Sequence, residues 1–320
     1  MENETINLRS VDRVEIVILA DNFSDVLLPG GPCILRPPIA KNGVIPTDTL
    51  LAEHGLCLMI TTHVNGESHT VLLDAGYSNV AVLHNLNFLD LTLDGLEAVV
   101  LSHGHMDHTG ALKEVLELAG AGTKLIVHPD AFLSRSLNLP TGEVILFPEF
   151  SSRNKLSGWG ADIMENSAPL LIGDDTVLVT GEVARTTSFE KGMPGTKIKH
   201  DSGFESDTFA DDQSLVINLG DKGLVIISGC AHAGIINSIE YAKDLTGQNK
   251  IHAVIGGFHL SGAAMAPNVD PTIEKLKQVG MEVICPMHCT GFDVISQLSK
   301  ELPDNFIQSS VGSKILLNAV

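Results

Sequence analysis

The sequence has few of the features that mark secreted, membrane or zinc-ribbon proteins. Its five cysteines form no Cys-x-x-Cys pair, which argues against a disulfide framework or a zinc ribbon. No uncharged apolar stretch approaches the roughly 18 residues that a membrane-spanning helix needs. The polar, acidic N-terminal residues 1–5 lack the apolar region of a secretory signal. We therefore expect a cytoplasmic protein without a membrane partner.

Basic residues are also scarce, with 20 Lys and Arg against 39 Asp and Glu and a formal net charge of −19. A field of this sign repels polyanions, so we expect no nucleic-acid partner. A small anionic substrate is still compatible with this charge, because a bound metal reverses the field locally. The chain is rich instead in hydrophobic residues (44%), enough for a large core, and it contains 13 histidines.

Short apolar segments alternate with amphipathic helical segments along the whole chain, without internal repeats. We predict a single domain over residues 1–320, with an irregular insert at about 128–212. Prolines and glycines interrupt that insert, and we expect it to consist of loops and a short hairpin or two that cover a site. Strands are predicted at 14–19, 56–61, 70–73, 96–101, 214–219, 224–228, 253–255 and 283–285, and helices at about 109–119, 234–245 and 271–279.

Four of the apolar, strand-like runs are each followed within a few residues by a histidine. These histidines are His103, His232, His259 and His288. Layered α/β structures place ligand residues at strand ends, where loops can converge. A single histidine in such a place means little, but four predict a shared site.

The strongest local pattern is the segment 102–110, which reads Ser-His-Gly-His-Met-Asp-His-Thr-Gly. In an extended segment His103 and His105 point to the same side, so they can share one metal. Asp107 and His108 fall at the junction between loop and helix, where they can face a second metal. Imidazole and carboxylate ligands suit zinc, with iron or manganese as alternatives, and two metals about 3.5–4 Å apart can share a nucleophile.

This segment resembles the His-x-His-x-Asp-His motif of the metallo-β-lactamase fold superfamily, and the resemblance extends over nearly the whole chain. It implies an α/β (α+β) fold, a four-layer αββα sandwich with metals at one edge. Three further stretches are similar to a narrower branch, that of the archaeal dihydropterin–ribofuranosylaminobenzene phosphate synthase, which joins a pterin methyl diphosphate to an aniline sugar phosphate. They are Leu73-Asp-Ala-Gly, Gly229-Cys-Ala-His-Ala-Gly and Met287-His-Cys-Thr-Gly.

The resemblance implies a role for each matching residue. His103 and His105 would bind the first metal, and Asp107, His108 and His288 the second. Asp107 would also act as a catalytic base. Asp74, at a strand end, is similar to the carboxylate that orients a metal-bound histidine in this superfamily.

Two departures from the superfamily pattern leave the ligand set open. The usual His-x-x-Gly-His segment is replaced by Ala210-Asp-Asp-Gln, and the usual bridging aspartate after a glycine is replaced by Cys230. We expect His232 to be the third ligand of the first metal. Cys230, Asp211 and Asp212 are the alternatives for completing the site.

Two histidines outside this ligand set, His259 and His54, are predicted to bind substrate. His259 would bind a phosphate or carboxylate or line the metal pocket, although a histidine of the core is the alternative interpretation.

We expect a metal-dependent enzyme, with two zinc ions as the first choice of cofactor, that acts on a small phosphorylated or carboxylated substrate. It would be a hydrolase or a synthase-like transferase; a phosphodiesterase or nuclease of the same fold and a catalytically silent binding protein are the alternatives. The sequence does not indicate an oligomeric state.

Overall fold

A computed structural model describes residues 5–320, so residues 1–4, to which most of the predicted polar N-terminal segment belongs, lie outside the described residues. Within the described range the helices, in chain order, are α1 (Asn79–Phe88), α2 (Leu112–Ala119), α3 (Arg153–Gly158), α4 (Ile235–Thr246), α5 (Ala266–Val279) and α6 (Phe292–Glu301). The strands are β1 (Arg13–Ala20), β2 (Ile34–Leu35), β3 (Cys57–Val64), β4 (Glu67–Leu73), β5 (Ala98–Val100), β6 (Thr123–Val127), β7 (Arg135–Asn138), β8 (Val144–Leu146), β9 (Ala161–Glu165), β10 (Leu170–Ile172), β11 (Val177–Val179), β12 (Thr196–His200), β13 (Gly203–Ser206), β14 (Ser214–Leu219), β15 (Gly223–Ser228), β16 (Ile251–Gly257), β17 (Val283–Met287) and β18 (Lys314–Asn318).

These strands form two large sheets and one small sheet. The eight-stranded sheet has the order β2-β18-β1-β3-β4-β5-β6-β9, and the six-stranded sheet has the order β10-β11-β14-β15-β16-β17. Both are mixed. In the eight-stranded sheet β3 and β4 are antiparallel and β4 and β5 are parallel, and in the six-stranded sheet β14 and β15 are antiparallel and β15 and β16 are parallel. The small sheet has the order β13-β12-β7-β8.

The two large sheets pack face to face around one apolar layer. Val14 and Ile16 of β1 point into this layer and share it with Ile227 of β15 from the facing sheet. Val17 and Leu19 of the same strand point to the opposite face of their sheet. This alternation follows from the two-residue period of a strand, and it buries both faces of β1.

Helices cover the outer face of each large sheet. Leu86 of α1 and Leu112 of α2 pack in the apolar cluster behind the eight-stranded sheet. Ile239 of α4, Leu276 of α5 and Leu298 of α6 pack in the cluster behind the six-stranded sheet. The result is the predicted αββα sandwich.

Most predicted elements of the core are present, with differences at their ends and some omissions. The sequence did not predict β6, β18, α1 or α6. Helix α5 begins at Ala266 rather than at 271. Pro267 is tolerated in its first turn because backbone N–H groups there form no intrahelical hydrogen bond, so the missing N–H of proline costs none.

The stretch 128–212 is more regular than the predicted irregular insert, and this prediction needs correction. Strand β9 extends the eight-stranded sheet next to β6, and β10 and β11 extend the six-stranded sheet next to β14. These two- to five-residue pairings are too short to give a clear hydrophobic period. The remaining strands of this stretch form the small sheet.

The described residues contain neither a disulfide nor a helix suited to span a membrane. All five cysteines are free, as the lack of paired spacings predicts. Across residues 5–320, no helix combines the length and the apolar character needed to traverse a lipid bilayer.

The apolar layer between the two large sheets is expected to contribute much of the free energy of unfolding. Leu58 is fully buried in this layer, whereas the side chain of Leu118 on α2 is 58% exposed. We expect Leu58→Ala to lower the free energy of unfolding by about 2–5 kcal/mol, because it leaves a cavity in a packed core. The matched control Leu118→Ala should change it by less than about 0.5 kcal/mol. Urea unfolding checks both values, and equal effects of the two substitutions would contradict this assignment of the core.

Candidate metal centre

The four histidines that follow strands meet at one edge of the sandwich. β15, β16 and β17 are parallel neighbours, so the residues after them, His232, His259 and His288, emerge at the same edge. His103 follows β5 in the facing sheet. Its ring centroid lies 4.7 Å from that of His232, which in turn lies 4.1 Å from that of His259. The structure therefore brings these side chains into one cluster.

The segment 103–108 is an extended stretch followed by a single 3₁₀ turn. His105 has extended backbone dihedrals, and the turn spans Met106–His108. The segment runs so close to its neighbours that a Cβ atom on Gly104 would lie 2.5 Å from the carbonyl oxygen of Ala131. A glycine at this position is therefore a requirement of the close backbone approach.

One group of donor atoms, here called the first donor set, consists of His103, His232 and Cys230. Their ligand atoms lie within 4.8 Å of one another, and the Nε2 atoms of His103 and His232 are 3.2 Å apart. The ring of His105 borders this set, with its centroid 4.5 Å from that of His103 and 4.9 Å from that of His232.

A second donor set consists of Asp107, His108, His288 and, again, Cys230, all buried. His288 Nε2 is 3.3 Å from Asp107 Oδ2, and His108 Nε2 is 3.2 Å from Cys230 Sγ. The predicted ligands other than His105 thus fall into two adjacent groups, and His105, predicted as a ligand of the first metal, lies beside the first group without belonging to it.

The donor–donor distances and the unpaired ring nitrogens fit the coordination of a divalent metal ion. Metal–ligand bonds of about 2.0–2.3 Å in tetrahedral geometry separate neighbouring donor atoms by about 3.3–3.7 Å. The three donor–donor distances of 3.2–3.3 Å are close to that range. In addition, Nε2 of His105 and both ring nitrogens of His288 are buried without a hydrogen-bond partner within the described protein. Buried polar atoms are rarely left unpaired, so these nitrogens are available as ligands.

Burial also sets the charge of the histidines. It lowers the pKa of His103, His105 and His232 well below the usual value, so these rings are neutral and present a free lone pair. Burial alone would lower the pKa of His108 as well, but the carboxylates of Asp74 and Asp107 raise it to about 9. Burial would raise the pKa of Asp107, but His108 and His288 hold it well below its usual range.

Asp74 fixes the orientation of His108. Its Oδ2 lies 2.6 Å from His108 Nδ1 and accepts a hydrogen bond from the Ser102 hydroxyl, and its Oδ1 accepts one from the Ser102 N–H at 2.7 Å. With Nδ1 engaged in this way, Nε2 of His108 faces the second donor set. Asp74 is fully buried, and its predicted role as the carboxylate that orients a metal-bound histidine stays a prediction.

The two predicted substrate-binding histidines lie beside the donor sets. The His54 side chain is 64% exposed, and its Nε2 is 3.7 Å from Asp107 Oδ2. His259 is half-buried, and its Nδ1 has no hydrogen-bond partner within the described protein. Neither belongs to the first or second donor set, but a ring nitrogen of His259 lies within 4.8 Å of the sulfurs of Cys230 and Cys289. The binding of a substrate by His54 and His259 stays a prediction.

Asp211 and Asp212, the two carboxylates predicted as alternative metal ligands, have different surroundings. Both oxygens of Asp211 are engaged, with Arg135 Nη2 at 2.6 Å and the N–H of Gly104 at 2.9 Å. This carboxylate therefore holds the metal-binding segment in place and belongs to neither donor set. Asp212 accepts a hydrogen bond from the N–H of Ala233, and burial raises its pKa to about 7. It, too, lies outside both sets.

Asp21 and Asn22 hold His288, a contact that the sequence did not predict. Asp21 Oδ1 accepts a hydrogen bond from the N–H of His288 at 2.9 Å, and Asn22 Nδ2 donates to its carbonyl oxygen at 3.0 Å. This clamp stabilises His288 in a left-handed conformation with φ of 52°. The available signal was a polar pair directly after the buried strand β1.

The small sheet and the segment after it also border the centre. The ring of Phe209 stacks on that of His232 with 4.3 Å between centroids, and the rings of Phe147 and His105 are nearly perpendicular with 5.0 Å between centroids. Buried Arg135 of β7 anchors this sheet through Asp207 and Asp211. Sequence reasoning missed these residues because they lie in the stretch without a clear period.

Comparison with known proteins decides the family. The family model of the metallo-β-lactamase superfamily matches residues 52–184. An uncharacterised protein of Methanocaldococcus jannaschii is 32% identical over 264 residues, which cover 82% of this chain and 93% of that protein. The chain belongs to the metallo-β-lactamase superfamily.

Two further relatives refine this placement within the metallo-β-lactamase superfamily. The 7,8-dihydropterin-6-methyl-4-(β-D-ribofuranosyl)-aminobenzene-5′-phosphate synthase of M. jannaschii is 26% identical over 313 residues, which cover 97% of this chain and 99% of the synthase. A solved structure described as a metal-dependent hydrolase of the β-lactamase superfamily is 22% identical, with a TM-score of 0.71 and coverage of 95% of this chain and 99% of that one. The latter shows that the fold is shared.

The contact between Asp74 and His108 makes the first prediction for this metallo-β-lactamase-fold site. Asp74→Asn replaces an acceptor with an amide that can present a donor to His108 Nδ1. We expect metal affinity to fall about 10–100-fold while the fold is retained. Competition with a chromophoric chelator measures the affinity, and exposed Asp94→Asn is the control. Equal affinities of the two variants would show that Asp74 does not orient a ligand.

A second prediction separates a ligand from a residue that supports the site. We expect His232→Ala to lower the metal content from two ions to one per chain, because it removes a donor of the first set. Asp211→Asn should retain both ions but lower the free energy of unfolding by about 1.5–3 kcal/mol, because it weakens a buried charged hydrogen bond. Elemental analysis and urea unfolding measure the two effects. Loss of metal from Asp211→Asn alone would reverse the assignment.

Proposed function

We propose that this protein is a metal-dependent enzyme with a dinuclear centre that acts on a small phosphorylated substrate. The observation that carries the proposal is the pair of adjacent buried donor sets, in which His103 and His232 form one side and Asp107, His108 and His288 the other. Two metals side by side are suited to phosphoryl and diphosphate groups, since they can stabilise negative charge on neighbouring oxygens.

The electrostatics of the chain support an anionic substrate of small size. With a formal net charge of −19, the protein as a whole repels polyanions. Two divalent cations would create a local positive site within that field. A phosphodiesterase or nuclease of the same fold is the alternative, and the overall charge disfavours it.

Several side chains around the centre have separate tasks in this proposal. Asp107 is the candidate acceptor for a proton from an attacking group: its Oδ2 faces both the second donor set, 3.3 Å from His288 Nε2, and the exposed His54, 3.7 Å from its Nε2. His259 offers an unpaired Nδ1 to a phosphate or carboxylate oxygen. Phe209 packs on His232 of the first donor set and Phe147 on the neighbouring His105, so these apolar rings would limit the access of water to that side of the centre.

Within this class we favour group transfer over hydrolysis as the first reaction to test. The support is the similarity to the M. jannaschii synthase over almost the full length of both chains. In such a reaction the metals would stabilise a departing diphosphate while an aromatic amine attacks the methylene carbon. A hydrolase would instead deliver water to the same carbon or to phosphorus.

Elemental analysis of protein purified without added metal, with His103→Ala beside it, tests the metal requirement. We expect about two zinc, iron or manganese ions per chain, and fewer in the variant, because His103 belongs to the first donor set. One ion would point to an incomplete site. A protein that binds none even after reconstitution would be a binding protein on this fold.

A product assay on the metal-loaded protein then tests the reaction. A dihydropterin methyl diphosphate is supplied with and without an aminobenzene sugar phosphate, and products are identified by mass spectrometry. We expect diphosphate release that depends on the amine, with a joined product. Release without the amine would favour a hydrolase, and cleavage of short oligonucleotides instead would favour the alternative nuclease.

A further inference from the structure

We infer that Cys230 and Cys289 form a redox-active pair, and that oxidation joins their sulfurs in a disulfide that opposes metal binding at the centre. The effect on the metals rests on the proposed function, because it requires metal in the two donor sets. The formation of the disulfide depends on the geometry of the two thiols alone.

The end of strand β16 brings the two thiols together. β16 lies between β15 and β17, and the three strands are parallel. Cys230 follows β15 and Cys289 follows β17, whereas β16 ends in Gly256 and Gly257. A Cβ atom on Gly257 would lie 2.7 Å from Cys289 Sγ and 3.4 Å from Cys230 Cα. The missing side chain therefore leaves the space in which the cysteines of the two outer strands meet.

The sulfur of Cys289 lies against the backbone of Cys230. Cys289 Sγ donates to the carbonyl oxygen of Cys230 at 3.6 Å and accepts a hydrogen bond from the N–H of His259 at 3.3 Å. A ring nitrogen of His259 and the two sulfurs lie within 4.8 Å of one another. A disulfide bond is about 2.05 Å long, so the two sulfurs need to approach each other by less than about 3 Å.

The other three cysteines belong to no such group. Within residues 5–320, Cys33, Cys57 and Cys285 occur in none of the clusters of mutually close donor atoms. Cys57 and Cys285 are fully buried, and Cys33 is half-buried. Exposure alone would make Cys33 the first thiol to react. Proximity, rather than exposure, therefore selects the pair of Cys230 and Cys289.

Oxidation of the pair balances with a peroxide as the only other reactant. Hydrogen peroxide transfers one oxygen to the first sulfur, which gives a sulfenic acid and one water. The second thiol then attacks that sulfur, the S–S bond forms, and a second water leaves. In all, the two thiols lose two protons and two electrons, and one peroxide becomes two waters.

The disulfide and a metal ion compete for the sulfur of Cys230. This Sγ occurs in both the first and the second donor set, and it lies 3.2 Å from His108 Nε2. A thiolate is a metal ligand, whereas a sulfur in a disulfide carries no charge. Oxidation therefore removes one donor atom from both sets, and reduction of the disulfide restores it.

Peptide mapping of the metal-free protein tests the pairing. The folded protein is treated with one equivalent of hydrogen peroxide, the remaining thiols are alkylated, and an unreduced digest is analysed by mass spectrometry. We expect a cross-linked pair of peptides that contain Cys230 and Cys289, with the other three thiols alkylated. The absence of a disulfide, or one that involves another cysteine, overturns the inference.

Zinc binding before and after oxidation tests the effect on the centre. Diamide is the oxidant here, because it takes up the two hydrogen atoms of a thiol pair and adds no oxygen to a lone thiol. We expect the zinc affinity of the wild type, measured by competition with a chromophoric chelator, to fall at least about tenfold and to recover with dithiothreitol. Loss of a donor should cost no less than loss of a residue that supports one.

Cys289→Ser is the matched control, because it retains every member of the two donor sets and cannot form the disulfide. Its zinc affinity should be the same before and after diamide, whereas Cys33→Ser should respond as the wild type does. Circular dichroism verifies that each variant is folded, and Cys289→Ala replaces the serine variant if that one does not fold.

The remaining outcomes separate this inference from the proposed function. An unchanged zinc affinity of the oxidised wild type, or an equal loss in Cys289→Ser, overturns the inference and leaves the proposed function intact. A third zinc ion in the reduced wild type that is missing from Cys289→Ser overturns it too, because the two thiols would then bind metal together with His259. A reduced protein that binds no zinc overturns the proposed function and the effect on the metals, and the peptide map then decides the pairing by itself.

Discussion

The buried carboxylate of Asp74 is the contact on which the geometry of the centre depends. It lies at the end of β4, receives both the backbone N–H and the hydroxyl of Ser102, and lies 2.6 Å from Nδ1 of His108. One side chain thus ties a core strand to the loop that carries the metal-binding motif. Gly229 packs against the same group, so the loop after β15 is positioned by it as well.

A second layer of support comes from outside the two large sheets. Arg135 of the small sheet forms buried ion pairs with Asp207 and Asp211, and Asp211 in turn accepts the N–H of Gly104. Removing one partner from such a buried group leaves an uncompensated charge, which is costly. The small sheet is therefore fastened to the metal-binding segment by charge, while Phe147 and Phe209 contact the histidines by packing.

The resemblance carried by the motif at 102–110 implied the sandwich, and the pattern of a strand followed by a histidine predicted the cluster of histidines, because both signals are local. A buried strand followed by His103 or His288 is visible within ten residues of chain. The motif at 102–110 is similarly compact. By contrast, the three-residue strands β10 and β11 have no measurable period, and they are strands only because a neighbouring strand pairs with them. The contact between Asp21 and His288 depends on the fold of the whole chain in the same way.

The contacts at the centre join residues that are far apart in the sequence. His103 and His232 are separated by 129 positions, and Asp21 and His288 by 267. Contacts of such long range close large loops, and closing a large loop costs conformational entropy. The candidate ligands are therefore assembled only when segments from residue 21 to residue 288 have docked, and a chain that lacks β17 and the residues after it would present only part of the ligand set.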